Sequence, residues 1–268
     1  MTDVAVVLAL VGQSWFGPTG TVDINNGIID TKFMFSGHME AQGRDEIWGS
    51  FCDNTHCTNL EKIIPHMGND PSTGLPFYFD YLRNPKVITK PAFGPYPQYY
   101  ILYFEGWLDG VPLLCASTSF DGHVWSKPDP ILRNLTDPAA VVVDNRVFVY
   151  ANKPDPNSTP YQVRYDLGES GIVYESEVRV AYNVSYQIRN VDVKPGHMIA
   201  EVVEAGKTRA DTFTSEDGIL WSLDKQNVLA FPLGTADTRT PAHLGDTGII
   251  VYANRFNLIN GYDIRTRY

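Results

Sequence analysis

The chain has 268 residues, 43% of them hydrophobic and 12% aromatic, with 22 Gly and 18 Pro; that is enough to bury the core of one large β domain or two ordinary ones. Its formal net charge of −10, with no cluster of Lys and Arg, excludes a nucleic-acid partner, because phosphate binding needs concentrated positive charge. No run approaches the roughly 18 apolar residues of a membrane span, and three cysteines, of which only Cys52 and Cys57 are close in sequence, exclude a disulfide-built scaffold.

At the N-terminus, "VAVVLALVG" lacks a basic flank and a cleavage site, so no signal peptide is read and the chain is expected to be soluble, with its compartment open. Residues 1–26 stand outside the repeat that follows and are expected to form an extension or an extra strand. From there glycines at 27, 74, 122, 171 and 218 recur at steps of 47, 48, 49 and 47 residues, opening "GIID", "GLPF", "GHVW", "GIVY" and "GILW". A step of that size is the size of a propeller blade or a solenoid repeat.

Within each repeat, alternation and β-branched or aromatic enrichment mark strands. The second repeat supplies "YYILYFEGW" and "VPLLCASTS". The third supplies "PAAVVVD", "RVFVYANK" and "YQVRYDL", then "IVYESEVRV" after Gly171, with Asp144-Asn145 as a tight turn. The fourth repeats the order as "IRNVDVK", "HMIAEVVEA", "TRADTFTS" and "LWSLDKQNVLA", and the chain ends in "GIIVYANRF" and "GYDIRTRY". The expected fold class is all-β: a five-bladed β-propeller over residues 27–268 with four-stranded blades. Its ring is closed by pairing N-terminal and C-terminal strands, "GIIDTKFMF" supplying the last blade's missing strand, which protects sheet edges.

Two of the repeat glycines sit in a shared motif, Ser-x-Asp-Gly-x-x-Trp, at Ser119–Trp125 and Ser215–Trp221. Asp121 and Asp217 suit tight turns, the carboxylate accepting backbone N–H bonds and the glycine supplying a positive φ. These segments resemble the shortened Asp-box turns of five-bladed glycoside hydrolases, the family 43 arabinanase/xylosidase group and the invertase and mannoside-phosphorylase groups. "TDPAAVVVDNRVFVYANK" (136–153) resembles an inner-blade strand of that family, and "TPAHLGDTGIIVYANR" (240–255) its last blade. The resemblance implies a carbohydrate partner and a pocket lined by the starts of the inner strands.

Those starts are read as "GHMEAQGR", "ITKPAFG", "LTDPAAV", "IRNVDVK" and "TRTPAHLG". They yield His38, Glu40, Lys90, Asp137, Arg189, Asp192, Arg239 and His243. A glycosidase needs two carboxylates about the scissile bond, one protonated as acid and one ionised as base or nucleophile, and Glu40, Asp137 and Asp192 can supply them. By resemblance Glu40 is the base, Asp137 orients substrate and tunes the acid, and Asp192 stands at the acid position. The family carries Asp and Glu at the base and acid positions, the reverse of this chain. Glu201 and Glu204 on the following strand, and Glu105 in "YFEG", are alternatives for the acid.

His38, Lys90, Arg189, Arg239 and Trp107 are the substrate-binding candidates, Arg because its planar fork suits a carboxylate or an acidic sugar, Trp because it stacks on sugar faces. Trp48 and Tyr96 are further stacking candidates. No cofactor is required; by resemblance, His243 is a candidate for a calcium ion or water network. Each residue also has a structural reading: Asp137 before Pro138 suits a turn, and a lone histidine is a common internal hydrogen-bonder. "GQS" at 12–14 faintly resembles an acetylesterase nucleophile block, but the Asp-x-x-His partner for Ser14 is missing. Cys52 and Cys57 with His56 lack a second zinc-ligand pair. Two functions remain: a glycoside hydrolase acting on a furanoside or pyranoside linkage, or an inactive propeller serving as a glycan-binding or virion/assembly module. Fold does not choose between them.

Overall fold

The computed structural model describes residues 13–25, 28–39, 44–52, 61–92, 95, 97–156, 159–205, 207–226, 228, 240–244, 249–256 and 261–267. Side chains are described for 45–49 and, from 61 to 228, for all of these but 207 and 208. All regular structure among them is β.

Strands β1 (Gln13–Asn25), β2 (Ile28–Met39), β3 (Arg44–Cys52) and β4 (Glu61–Ile64) pair in succession, followed by the small hairpin β5 (Met67–Asn69) and β6 (Pro76–Tyr78). Next come two four-stranded meanders. The first is β7 (Tyr81–Lys90), β8 (Tyr99–Leu108), β9 (Val111–Ser119) and β10 (Asp129–Arg133). The second is β11 (Thr136–Val143), β12 (Arg146–Lys153), β13 (Tyr161–Asp166) and β14 (Ser176–Arg179). The short β15 (Ala181–Tyr182) runs parallel to the outer edge of a third meander, β16 (Gln187–Lys194), β17 (His197–Glu204), β18 (Lys207–Thr214) and β19 (Leu220–Lys225). Last come β20 (Thr240–Leu244), β21 (Ile249–Phe256) and β22 (Gly261–Arg267). One sheet joins β20 to β1 through a parallel pair, Gly20 opposite Leu244.

Strand β1 lies against β7 and β20, β7 against β11, β11 against β16, and β16 against β20, so these five strands form the central layer. Two of the strand starts read from sequence differ from this. "GHMEAQGR" begins at the end of β2, which is the second strand of its sheet, and "ITK" is the end of β7 rather than its start. Likewise "GIIDTKFMF" lies between β1 and β3, not beside β22. The central strand of the first sheet is β1, within the segment set outside the repeat.

Four of the repeat glycines are turn residues with left-handed backbone: φ is 70° at Gly74, 78° at Gly122, 73° at Gly171 and 68° at Gly218, while Gly27 lies outside the described residues. Two of them are also points of contact between sheets. Tyr103 on β8 donates to the carbonyl of Gly171 at 2.5 Å, and Tyr150 on β12 donates to that of Gly218 at 2.8 Å. A Cβ at Gly171 would stand 2.6 Å from Ile101 and one at Gly218 2.7 Å from the Tyr150 hydroxyl, so no side chain fits at either place.

In both Ser-x-Asp-Gly-x-x-Trp segments the aspartate caps its own turn. Asp121 accepts from the amides of His123 (2.7 Å) and Val124 (2.9 Å), Asp217 from those of Ile219 (2.8 Å) and Leu220 (3.0 Å). The tryptophans turn inward: Trp221 is fully buried and Trp125 nearly so. Apolar clusters fill the spaces between successive sheets, Leu102, Phe104 and Ile47 in one, Tyr103, Val149 and Tyr165 in the next, Tyr150, Met198, Phe213 and Trp221 in the third. Cys115 is a free, buried thiol among them.

Candidate active site

Near the start of each of three central strands the ladder is broken by a bulge, between Arg83 and Lys86, Thr136 and Ala139, and Arg189 and Val191. The residue at each bulge has left-handed backbone: Asn84 (φ 50°), Asp137 (φ 52°) and Asn190 (φ 40°). Asn and Asp are the residues that tolerate that conformation best after glycine. Pro85 and Pro138 follow two of them, where the missing N–H costs no ladder bond. The three fall at equal steps of 53 residues.

A polar residue on the second strand grips each bulge side chain. Asn84 donates to Glu105 on β8 at 3.3 Å, Asn152 on β12 donates to Asp137 at 3.0 Å, and Asn190 donates to Glu201 on β17. The units meet at Asp137. Asn84 Nδ2 also reaches Asp137 Oδ1 at 2.8 Å, and the Asp137 amide donates to Glu105 Oε2 at 3.1 Å. The Thr136 hydroxyl reaches Asp137 Oδ2 at 3.4 Å.

Burial raises the Asp137 carboxyl above the usual aspartate range, opposed by hydrogen bonds from Asn152 and Thr136 and by the positive charges of Lys86 and Arg189. Burial also raises Glu105, and the charge of Asp137 adds to it, opposed by hydrogen bonds from Trp107, the Asp137 amide and Asn84. A carboxyl raised above its ordinary range is suited to proton donation.

Two residues beyond each bulge stand Lys86, Ala139 and Asp192, all buried. Lys86 and Asp192 meet at 3.3 Å. Asp192 is therefore engaged by an ammonium rather than facing Asp137 alone. Arg189 is exposed, bonded to Gln187 at 2.8 Å, and close enough to act on Asp137 electrostatically. Trp107 is half-buried; its indole N–H donates to Glu105 and its ring stacks on Tyr81 with centroids 5.2 Å apart. The guanidinium of Arg83 covers Tyr81 in turn, 4.3 Å from its centroid.

Lys90 is elsewhere. It closes β7, six residues beyond Asn84 and about 20 Å along the strand, and its buried ammonium donates to the Asn145 carbonyl at 2.7 Å. There it lines a separate cavity of about 550 Å³ with Tyr99, Phe120 and Ile172. His38 lies on β2 opposite Ser14 and Asp45, and His243 on β20 opposite Ile250, but their side chains are outside the described residues. Glu40, Arg239 and Tyr96 lie outside them altogether. No group of three or more His, Cys, Asp or Glu side chains suited to a metal occurs among the described residues.

Across the whole chain the architecture matches solved glycoside hydrolase structures. A GH43_1 enzyme from Xanthomonas citri complexed with xylose aligns over 99% of this chain and 90% of its own, with a TM-score of 0.67 and 12% identity. The chain has the fold of these proteins. A GH43 β-xylosidase/α-arabinofuranosidase from a compost microbial metagenome, bound to xylotriose in a calcium-free form, aligns over 99% and 94% with a TM-score of 0.65 and 11% identity. A family 117 glycoside hydrolase from the marine bacterium Zobellia galactanivorans aligns over 99% and 88% with a TM-score of 0.60 and 12% identity. No family model matches the sequence, and no curated protein is significantly similar to it.

Sequence reasoning passed over Asn84, Lys86, Asn152 and Asn190, and named Glu105 only as an alternative for the acid. The signal was present in Asn84-Pro85, Asp137-Pro138 and Asn190-Val191 at their common 53-residue step. Gly17-Pro18, at the bulge between Phe16 and Thr19 in β1, shares the bulge and the proline but not the step.

Proposed function

We propose that this protein is a carbohydrate-active, glycoside hydrolase-like five-bladed propeller that acts on a furanoside or pyranoside linkage where its central strands begin. Support for the ring comes from the cyclic succession β1, β7, β11, β16, β20, and support for carbohydrate from the ligands of two of the similar structures, xylose and xylotriose. The observation that carries the chemistry is Asp137: a raised carboxyl at a left-handed bulge, aimed by Asn84, Asn152 and Thr136.

In this reading Asp137 is the proton-handling carboxyl and Glu40 the candidate second carboxylate required across the scissile bond. Asp192 acts through Lys86, holding the ammonium that bears on Asp137. Arg189 and Trp107 flank the sugar, and Arg239 and His38 are the candidate contacts from neighbouring strands. A screen of aryl arabinofuranosides, xylosides and galactosides tests this. Wild type is expected to turn over at least one of them, and Asp137→Asn to lose about 10²-fold or more of that rate. Saturable oligosaccharide binding with no turnover by wild type would favour the glycan-binding module instead.

A further inference from the structure

Behind the bulge that presents Asp137 stands a carboxylate that bond cleavage does not itself demand. Glu105 is 4% exposed and lies on β8, one strand removed from the central layer and in the sheet preceding that of Asp137. Three donors converge on it. The Asp137 amide and Asn84 Nδ2 reach Oε2 at 3.1 and 3.3 Å, and the Trp107 indole N–H reaches Oε1. Because the bulge takes the Asp137 amide out of the ladder, Glu105 satisfies a backbone donor that would otherwise be costly to bury.

The same amide nitrogen of Asn84 that Glu105 holds also donates to Asp137 Oδ1 at 2.8 Å, so one contact orients the next. The Asn190–Glu201 unit repeats the second-strand grip, and Asn152 provides it for Asp137 within its own sheet. Asp137 receives grips from two sheets. The charged groups bearing on the pair are Lys86 from β7, ion-paired to Asp192, and Arg189 from β16; Arg83 stands opposite Glu105 in the β7–β8 ladder and is ion-paired to Asp45.

We propose that Glu105 is the positioning residue of Asp137: it fixes the left-handed bulge through the Asp137 amide and aims Asn84 at the carboxyl. Two carboxyls sharing an amide bridge give up their protons in steps that belong to the pair. Only the naming of Asp137 as the reacting group rests on the hydrolase reading.

Carbon-13 titration of the side-chain carboxyls in the full chain tests this, on wild type, Glu105→Gln and Trp107→Phe. Wild type is expected to show two coupled steps for the pair. In Glu105→Gln, Asp137 loses the coupling and titrates in a single step at lower pH, because a neighbouring negative charge is gone. Trp107→Phe keeps two steps and moves the upper one up, because a donor that favours ionised Glu105 is removed; this variant decides the matter if Glu105→Gln does not fold. On a glycoside that wild type turns over, Glu105→Gln lowers kcat by about tenfold or more with little change in KM. Asp137 titrating as a lone group in wild type, or identically in both variants, overturns the proposal. Coupled titration in a protein that cleaves no glycoside retires the hydrolase reading and supports the positioning role.

Discussion

Asp121 and Asp217 on one side, and Asp137 on the other, show how the same side chain is put to opposite uses. The turn aspartates are solvent-facing and accept backbone amides, which hold their carboxyls below the usual range. Asp137, half-buried, is gripped by side chains and shifted upward. The turns stabilise the places where sheets meet; the bulge spends stability to hold one group ready.

Deleting the anchor of a turn is the largest blow to that comparison. Trp221→Ala, removing a fully buried indole, is expected to cost about 3–5 kcal/mol in denaturant unfolding. Asp137→Asn should do the reverse, leaving stability within about 1 kcal/mol, since Asn tolerates the left-handed backbone, while turnover falls as stated above.

The pH dependence separates the two regions by sign. The contribution of Asp121 and Asp217 is complete above the ordinary aspartate value of 3.8 and is lost as the pH falls through their lowered folded values. The Asp137–Glu105 pair is raised, so the fold favours its protonated form; that contribution is complete below the ordinary carboxylate range and is lost as the pH rises through the folded values. In pH-dependent unfolding, Asp217→Asn should flatten the acid limb, and Glu105→Gln should flatten the decline toward neutral pH. The same response in both variants would break the distinction. The smallest effect belongs to Lys90→Met, which sits at the far end of β7 and should leave turnover unchanged.

The sheets were legible because glycines recur in their turns at 47- to 49-residue steps, and at Gly171 and Gly218 a positive φ is combined with no room for a Cβ. The order of strands within a sheet was harder to read. Central and second strands are both apolar, so periodicity alone did not separate "GHMEAQGR" from the true central strand β1. The second central strand was read as starting at "ITKPAFG", which is the end of β7, and this passed over Asn84 and drew attention to Lys90 instead. Asp137 was found because its Asp-Pro resembled a known strand, whereas Glu105 and Asn152 act across a strand pair that sequence does not display.

The most direct measurement is a xylotriose titration of the protein followed by its side-chain amide and indole NMR signals. If Asp137 marks the carbohydrate site, the amides of Asn84 and Asn152 and the indole of Trp107 shift saturably while that of Trp125 stays fixed. Shifts confined to the turns around Trp125 and Trp221, with Asn84 and Asn152 unmoved, would contradict the account.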